Sequence, residues 1–296
     1  MKRKLVNIFI CLIMFFCTCI IVFVIYKKST KISYPWYFEK LKINDNLHYG
    51  KQEDIGIAII DSGFNENRQK YFDKEIIKYD ATGENNTSDL TGHGTQMALL
   101  IGSNSKKKES IYGIDPYIQL YSIRVCNSYG ITSSTYLHNA LEYCKSINIS
   151  IVNISLGGTS YNNEIENDIK ELKDNDIFVI CAAGDKKTDF LYPADYKNSY
   201  CIVSQNENGL ISEDSNITSR INKIPIIVPG CNIDVLVIGL ENELHITTRS
   251  GSSFATAIFS GYLALYIAKN KNKITPKIFD QVIETNIYNN GFIDLF

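Results

Sequence analysis

Ile55-Gly56-Ile57-Ala58-Ile59-Ile60-Asp61-Ser62-Gly63 decides the fold. Isoleucine fills residues 55, 57, 59 and 60, and the run then stops at a carboxylate and a turn. A short apolar run bounded by turn residues reads as a buried strand. A loop rich in Gly and Asn follows at 82–92, and a helix starts at His93 with Thr91 or Gly92 near its cap. Further along, 118–125 is strand-like. Residues 133–146 are helical, with Leu137, Ala140, Leu141 and Cys144 on one face. Strands are expected at 149–154, 177–182, 201–204 and 224–228, a charged amphipathic helix at 163–173, and a strongly apolar helix at 253–268. Continuous apolar strands alternating with helices predict an α/β fold: a doubly wound, mostly parallel sheet with helices on both faces.

Residues 5–26 contain no charged side chain. At roughly 20 residues, the run is long enough to span a bilayer as a helix. A secretory signal would have a shorter apolar core and a small-x-small cleavage site. This run ends in Ile25-Tyr26-Lys27-Lys28, and Cys11, Cys17 and Cys19 do not fit a lipoprotein signal. The sequence therefore predicts one transmembrane anchor at 1–26, a linker or short extension at 27–53, and one globular domain at 54–296. Lys2, Arg3 and Lys4 precede the run, and Lys27, Lys28 and Lys31 follow it. The free N-terminal amine tips the balance toward an inside N-terminus. That predicts a single-pass protein of the cell membrane with an extracytoplasmic domain.

A formal net charge of −2 argues against a nucleic-acid partner. Outside the anchor the cysteines are Cys126, Cys144, Cys181, Cys201 and Cys231. They form no CxxC pair and show no metal-ligand spacing, and their odd number does not suit a complete disulfide framework. Cys126, Cys181 and Cys201 sit in apolar stretches and read as buried core thiols.

Three segments carry chemistry together, although each is ordinary alone. Asp61 ends a strand, while His93 and Ser253 begin helices. In open α/β sheets reactive groups gather at the carboxyl ends of strands. A serine hydroxyl needs a neighbouring base, histidine is the natural base near neutral pH, and a carboxylate orients the histidine. Of the four histidines, His48 precedes the domain, His138 lies within a helix, and His245 lacks a glycine-flanked setting.

These segments resemble the subtilisin-like serine peptidases, the subtilase family. Residues 57–63 resemble the family's aspartate strand, Gly92-His93-Gly94-Thr95 its histidine motif, and Gly251-Ser252-Ser253-Phe254-Ala255-Thr256 its serine motif. The order Asp, His, Ser is that of subtilisin. Between them, Gly113-Ile114-Asp115-Pro116, Val152 through Gly158, Ala182-Ala183-Gly184, Tyr192-Pro193-Ala194 and Pro229-Gly230 also match. The resemblance implies a catalytic triad of Asp61, His93 and Ser253. It implies a substrate edge at Ser155, Leu156 and Gly157 that pairs with an extended peptide, an oxyanion position at Asp185, and no cofactor. Leu191 would lie near the floor of the first specificity pocket.

The chain also departs from the family. Asp185 replaces an asparagine whose amide donates to the oxyanion, and an ionised carboxylate only accepts. Ala257 replaces a proline. Only about 27 residues separate the expected anchor from the domain, too few for the usual pro-domain. Lys106, Lys107 and Lys108 occupy the loop that would hold calcium, so no metal is expected there. Two functions follow. One is a membrane-anchored serine endopeptidase acting through an acyl-enzyme, suited to removing a leader from a peptide such as a bacteriocin precursor. The other is a weak or inactive relative that binds peptides or partners. An α/β-hydrolase esterase is excluded, since Gly251 through Ala255 lacks Gly-x-Ser-x-Gly and Ser253 comes last.

Overall fold

The computed structural model describes residues 34–44, 55–104, 111–221, 223–238, 244–271, 273–290 and 295, together with Thr18. The chain divides into two units, Met1–Tyr34 and Pro35–Phe296. The expected anchor at 1–26 lies outside the described residues except for Thr18. Among the described residues no helix is long and apolar enough to cross a membrane. The lysine-bearing loop at 105–110 is also outside them.

Strand β1, Gly56–Asp61, is buried along its whole length. It pairs in parallel with β3 (Gln119–Arg124) on one side and β4 (Ile151–Ile154) on the other. The sheet continues outward through β2 (Ile77–Asp80) beyond β3, and through β5 (Phe178–Ala182), β6 (Tyr200–Gln205) and β7 (Ile226–Pro229) beyond β4, with every neighbouring pair parallel. Both faces are covered, which is why the strands read as unbroken apolar runs. Ala58 and Ile60 share one core cluster with Val152, Ile154, Val179 and Cys181. The intervening residues, such as Asn153 and Phe178, face the other way.

Two helices cover the first face. Helix α3, Ser134–Lys145, starts where Ser133 Oγ accepts the Tyr136 N–H. Helix α4, Asn163–Asp174, starts where the Asn162 side chain accepts from Glu164 and Ile165. Each satisfies a backbone donor that the first turn leaves open. Helix α2, His93–Gly102, and helix α5, Ser252–Lys269, belong to the second face. Helix α5 is buried on nearly all sides, as a helix apolar all round must be. Inside it, Ser260 Oγ donates to Asn153 Oδ1 of β4 at 3.0 Å. A short helix α1, Trp36–Lys40, buries Tyr37, whose hydroxyl donates to the Tyr112 carbonyl.

Some elements differ from the sequence reading. Strand β2 was not expected, because its four residues alternate at the sheet edge and make no apolar run. An antiparallel hairpin of β8 (Ile233–Ile238) and β9 (Leu244–Arg249) adds a small second sheet. Strand β9 is exposed or half-buried throughout and carries no core signal. Cys144, Cys181, Cys201 and Cys231 are buried free thiols, but Cys126 is only half-buried, just beyond β3. Partial burial and the Asp61 charge push its thiol up to about 11.

Helix α6, Pro276–Asn290, docks through Phe279, which is fully buried. Its ring lies 5.6 Å from those of Phe178 and Tyr200, and 6.3 Å from that of Phe259. Phe279→Ala should lower stability by ~3–5 kcal/mol, read by denaturant unfolding of the full chain.

Candidate active site

Asp61 ends β1 and is 3% exposed. Its Oδ1 accepts from the Ser62 N–H at 2.7 Å and lies 3.1 Å from Ser62 Oγ. His93 begins α2, and its Nδ1 lies 2.9 and 3.0 Å from the two oxygens of Asp61. That contact places the Nδ1 proton toward the carboxylate and leaves Nε2 for chemistry. The Asp61 charge raises the imidazole above its ordinary range, desolvation opposes this, Asp89 adds to it, and Arg249 works against it. Gly94 has no room for a side chain, since a Cβ there would stand 2.5 Å from the Gly63 carbonyl. The close approach of α2 to the end of β1 depends on that glycine.

Ser253 lies in the first turn of α5. Its hydroxyl donates to the Ser155 carbonyl at 3.1 Å, and Ser155 Oγ donates back to the Ser253 carbonyl at 3.2 Å. Asn153 Nδ2 holds Ser155 Oγ at 3.0 Å. This reciprocal pair ties the first turn of α5 to the end of β4. Among the described residues no hydrogen bond joins Ser253 Oγ to His93. Both nonetheless line one open cavity of about 520 Å³ with Asp185, Gln96, Arg249 and Phe254.

Asp185 follows β5 and is exposed as a whole. Its two oxygens accept from the Ser252 N–H at 2.9 and 3.0 Å, and Oδ2 accepts from Ser252 Oγ at 2.9 Å. Desolvation at the cavity wall lifts this carboxyl above its ordinary range, the Ser252 hydrogen bonds pull it back, and Asp214 adds a small upward push. The Ser253 N–H stands in a first helical turn, where backbone donors have no intrahelical acceptor and the helix dipole favours negative charge. Gly157 packs on Leu191, where a Cβ would meet Leu191 Cβ at 2.8 Å. Leu156 and Gly157 wall a second cavity of about 380 Å³ with Leu137, Ile165, Tyr192 and Tyr196.

Two supporting residues escaped the sequence reading. Asp89 accepts from the backbone N–H of Gly92 and Thr95, both at 2.8 Å, and lies 2.8 Å from Ser62 Oγ. The single Ser62 proton can serve Asp61 or Asp89, one at a time. Asp89 stands three residues before the cap Gly92, outside the position where a helix-start signal is read. Asn216 is fully buried and organises the loop that carries Asp185. Its amide donates to the Ala183 and Asp189 carbonyls and accepts from the Lys186 and Thr188 N–H groups. A lone loop asparagine gives no such signal.

One described grouping has metal-ligand chemistry: His138, Glu142 and Asp168, on α3 and α4. The Lys145 ammonium already pairs with Glu142 at 2.6 Å and Asp168 at 2.9 Å, so the cluster reads as a satisfied ion network.

Asp89→Ala removes the acceptor for the α2 N-terminus and should cost ~1–2 kcal/mol. It should also lower the His93 pKa, measured by NMR titration of the imidazole. Asp89→Asn should lose less stability, because its amide oxygen still accepts.

Comparison with known proteins agrees with this fold. The prenylagaramide maturation protease PagA has the same fold at a TM-score of 0.69, with 22% identity over 84% of this chain and 88% of that one. The protease domain of PatA, solved as a serine-to-alanine mutant, gives 0.67 with 20% identity over 78% and 86%. Subtilisin amylosacchariticus of Bacillus subtilis subsp. amylosacchariticus is 23% identical over 240 residues, and the match covers 79% of this chain but only 61% of that protein's length. The major intracellular serine protease of Bacillus subtilis (strain 168) is 28% identical over 245 residues, covering 79% of this chain and 74% of that protein. The subtilase family model matches residues 52–294, and the chain belongs to that family.

Proposed function

We propose that this chain is a serine endopeptidase with Asp61, His93 and Ser253 as its triad, held at a membrane by residues 5–26. Its substrate class is a precursor peptide from which a leader is removed. The observation that carries the catalytic reading is the two-oxygen contact of His93 Nδ1 with buried Asp61, beside Ser253 in one cavity. The leader-removal reading draws on the likeness to a maturation protease and on the apolar run at 5–26.

An extended peptide would lie along Ser155, Leu156 and Gly157 as an added strand. Its backbone N–H would compete for the Ser155 carbonyl that now accepts the Ser253 hydroxyl. Released, Ser253 Oγ turns to His93 Nε2, gives up its proton and attacks the scissile carbonyl. His93 then passes that proton to the leaving amine. Water, deprotonated in turn by His93, hydrolyses the acyl-enzyme. The Ser253 N–H and the α5 dipole would hold the oxyanion, and Asp185 helps only when protonated.

A fluorophosphonate probe on the purified full chain tests the nucleophile. Labelling should vanish in Ser253→Ala and strengthen in Asp185→Asn, the latter by up to ~10²-fold. No labelling of folded protein, with asparagine restored at 185, would leave the peptide-binding reading.

The pH profile tests the base. His93 must be neutral to accept a proton, and Asp61 raises its pKa. Labelling should therefore rise with pH through a midpoint above about 6.5. Asp61→Asn should lower that midpoint and slow labelling by ~10³–10⁴-fold. An unmoved midpoint would remove His93 as the base.

A further inference from the structure

Arg68 stands in a short 3₁₀ helix, Glu66–Tyr71, outside the triad. It is 8% exposed, and among the described residues no hydrogen bond or ion pair engages its guanidinium. A buried charge without an acceptor is costly, and such a group calls for an explanation. The nearby acids are committed elsewhere. Glu66 pairs with Lys78. Asp89 accepts from the N–H groups of Gly92 and Thr95 and from the Thr95 hydroxyl.

Arg68 lines a cavity of about 310 Å³. Gln96 and Arg249 line it too, and among the described residues neither side chain has a hydrogen-bond partner. Gln96 is as buried as Arg68. Leu99, Leu236 and Val237 form an apolar wall, which strengthens any charge pairing made there. Two guanidinium groups and an amide, all unengaged, thus border one space. A guanidinium fork matches a planar carboxylate through two parallel N–H bonds. Against the two arginines the wall sets the Asp89 carboxylate, which leaves one positive charge over. That balance suits a carboxylate better than a phosphate dianion.

The cavity adjoins the one that holds His93 and Ser253, since Thr91, Gln96 and Arg249 line both. It shares no lining residue with the cavity walled by Leu156 and Gly157. We propose that it is a carboxylate-binding site anchored by Arg68, with Gln96 and Arg249 beside it, and that it takes an Asp or Glu side chain of the peptide on the leaving side of the cut. The placement rests on the peptidase reading: His93 protonates the departing amine, so the departing half lies on the His93 side, where Gln96 and Arg249 stand. The carboxylate site itself does not rest on that reading.

Binding to the full chain carrying Ser253→Ala tests the site without catalysis. Pentaalanine amides with one Glu, scanned through the five positions, are compared by calorimetry with their Gln versions. At least one Glu peptide should bind ~10–100-fold more tightly than its Gln version. Adding Arg68→Met should bring that pair within about twofold, and Arg249→Met should narrow it partway. Equal affinities in every pair would overturn the site. Glutarate binding as tightly as the best Glu peptide would overturn the peptide as its source. Arg68→Met should also melt at or above its parent, because the guanidinium has no partner to lose. A fall of roughly 5 °C or more would make Arg68 a structural residue and overturn its role as an open anchor. Digestion of a mixed peptide library by wild type, read by mass spectrometry, places the carboxylate. Asp and Glu should be enriched after the cut, and Arg68→Met should lose the enrichment. Enrichment before the cut, or none while wild type cuts, would overturn the leaving-side placement. If wild type neither cuts nor reacts with fluorophosphonate, the peptidase reading fails and the calorimetry still decides the carboxylate site.

Discussion

The carboxylate of Asp61 is the constraint around which the site is arranged. It sits at the end of the central strand at 3% exposure. A buried charge is costly unless hydrogen bonds and an opposite charge meet it. Ser62 supplies the bonds from its backbone and hydroxyl, and the imidazole of His93 supplies the partner. The parallel pairing of Asp61 with Arg124 of β3 holds the strand end in register. The demand of one buried group thus fixes where α2 must begin, and the tight glycine contact at Gly94 allows it.

Two helix ends at this edge each meet a carboxylate, with different results. At α2, Asp89 binds the backbone donors of the first turn and does not line the cavity that holds Ser253. It steadies the helix and adds negative potential at His93. At α5, Asp185 binds the Ser252 donor and lines the cavity with Ser253. On the peptidase reading proposed above, positive potential that would otherwise go wholly to an oxyanion is partly met by this side chain. The balance between the helix dipole and Asp185 is therefore the electrostatic question this active site turns on.

Much of this was legible in the primary structure, for a physical reason. Buried parallel strands need continuous apolar runs, so β1, β4 and β5 announce themselves locally. The glycine-flanked motifs of His93 and Ser253 are local as well. What stayed hidden depends on contacts between distant residues. Strand β9 is exposed or half-buried and takes its place by pairing with β8. Asn216 acts on carbonyls some thirty residues away, a relation that a one-letter code does not show. Cys126 reads as core because Val125 beside it is core, yet it lies just past the strand's end. The two-oxygen contact of Asp61 with His93 could be anticipated as a relation, while the turn of the Ser253 hydroxyl to Ser155 could not.

The reciprocal bond between Ser155 and Ser253 has a consequence for how the chain comes into being. Helix α5 is wrapped on nearly every side by the sheet and α2, and it cannot form its burial until it enters that space. Ser253 rides on this helix, some 160 residues after His93 in the order of synthesis. A ribosome releasing this chain N-terminus first presents Asp61 and His93 long before Ser253. On the peptidase reading proposed above, the hydroxyl is thus the last member of the triad to leave the ribosome, and cutting ability would arrive with it.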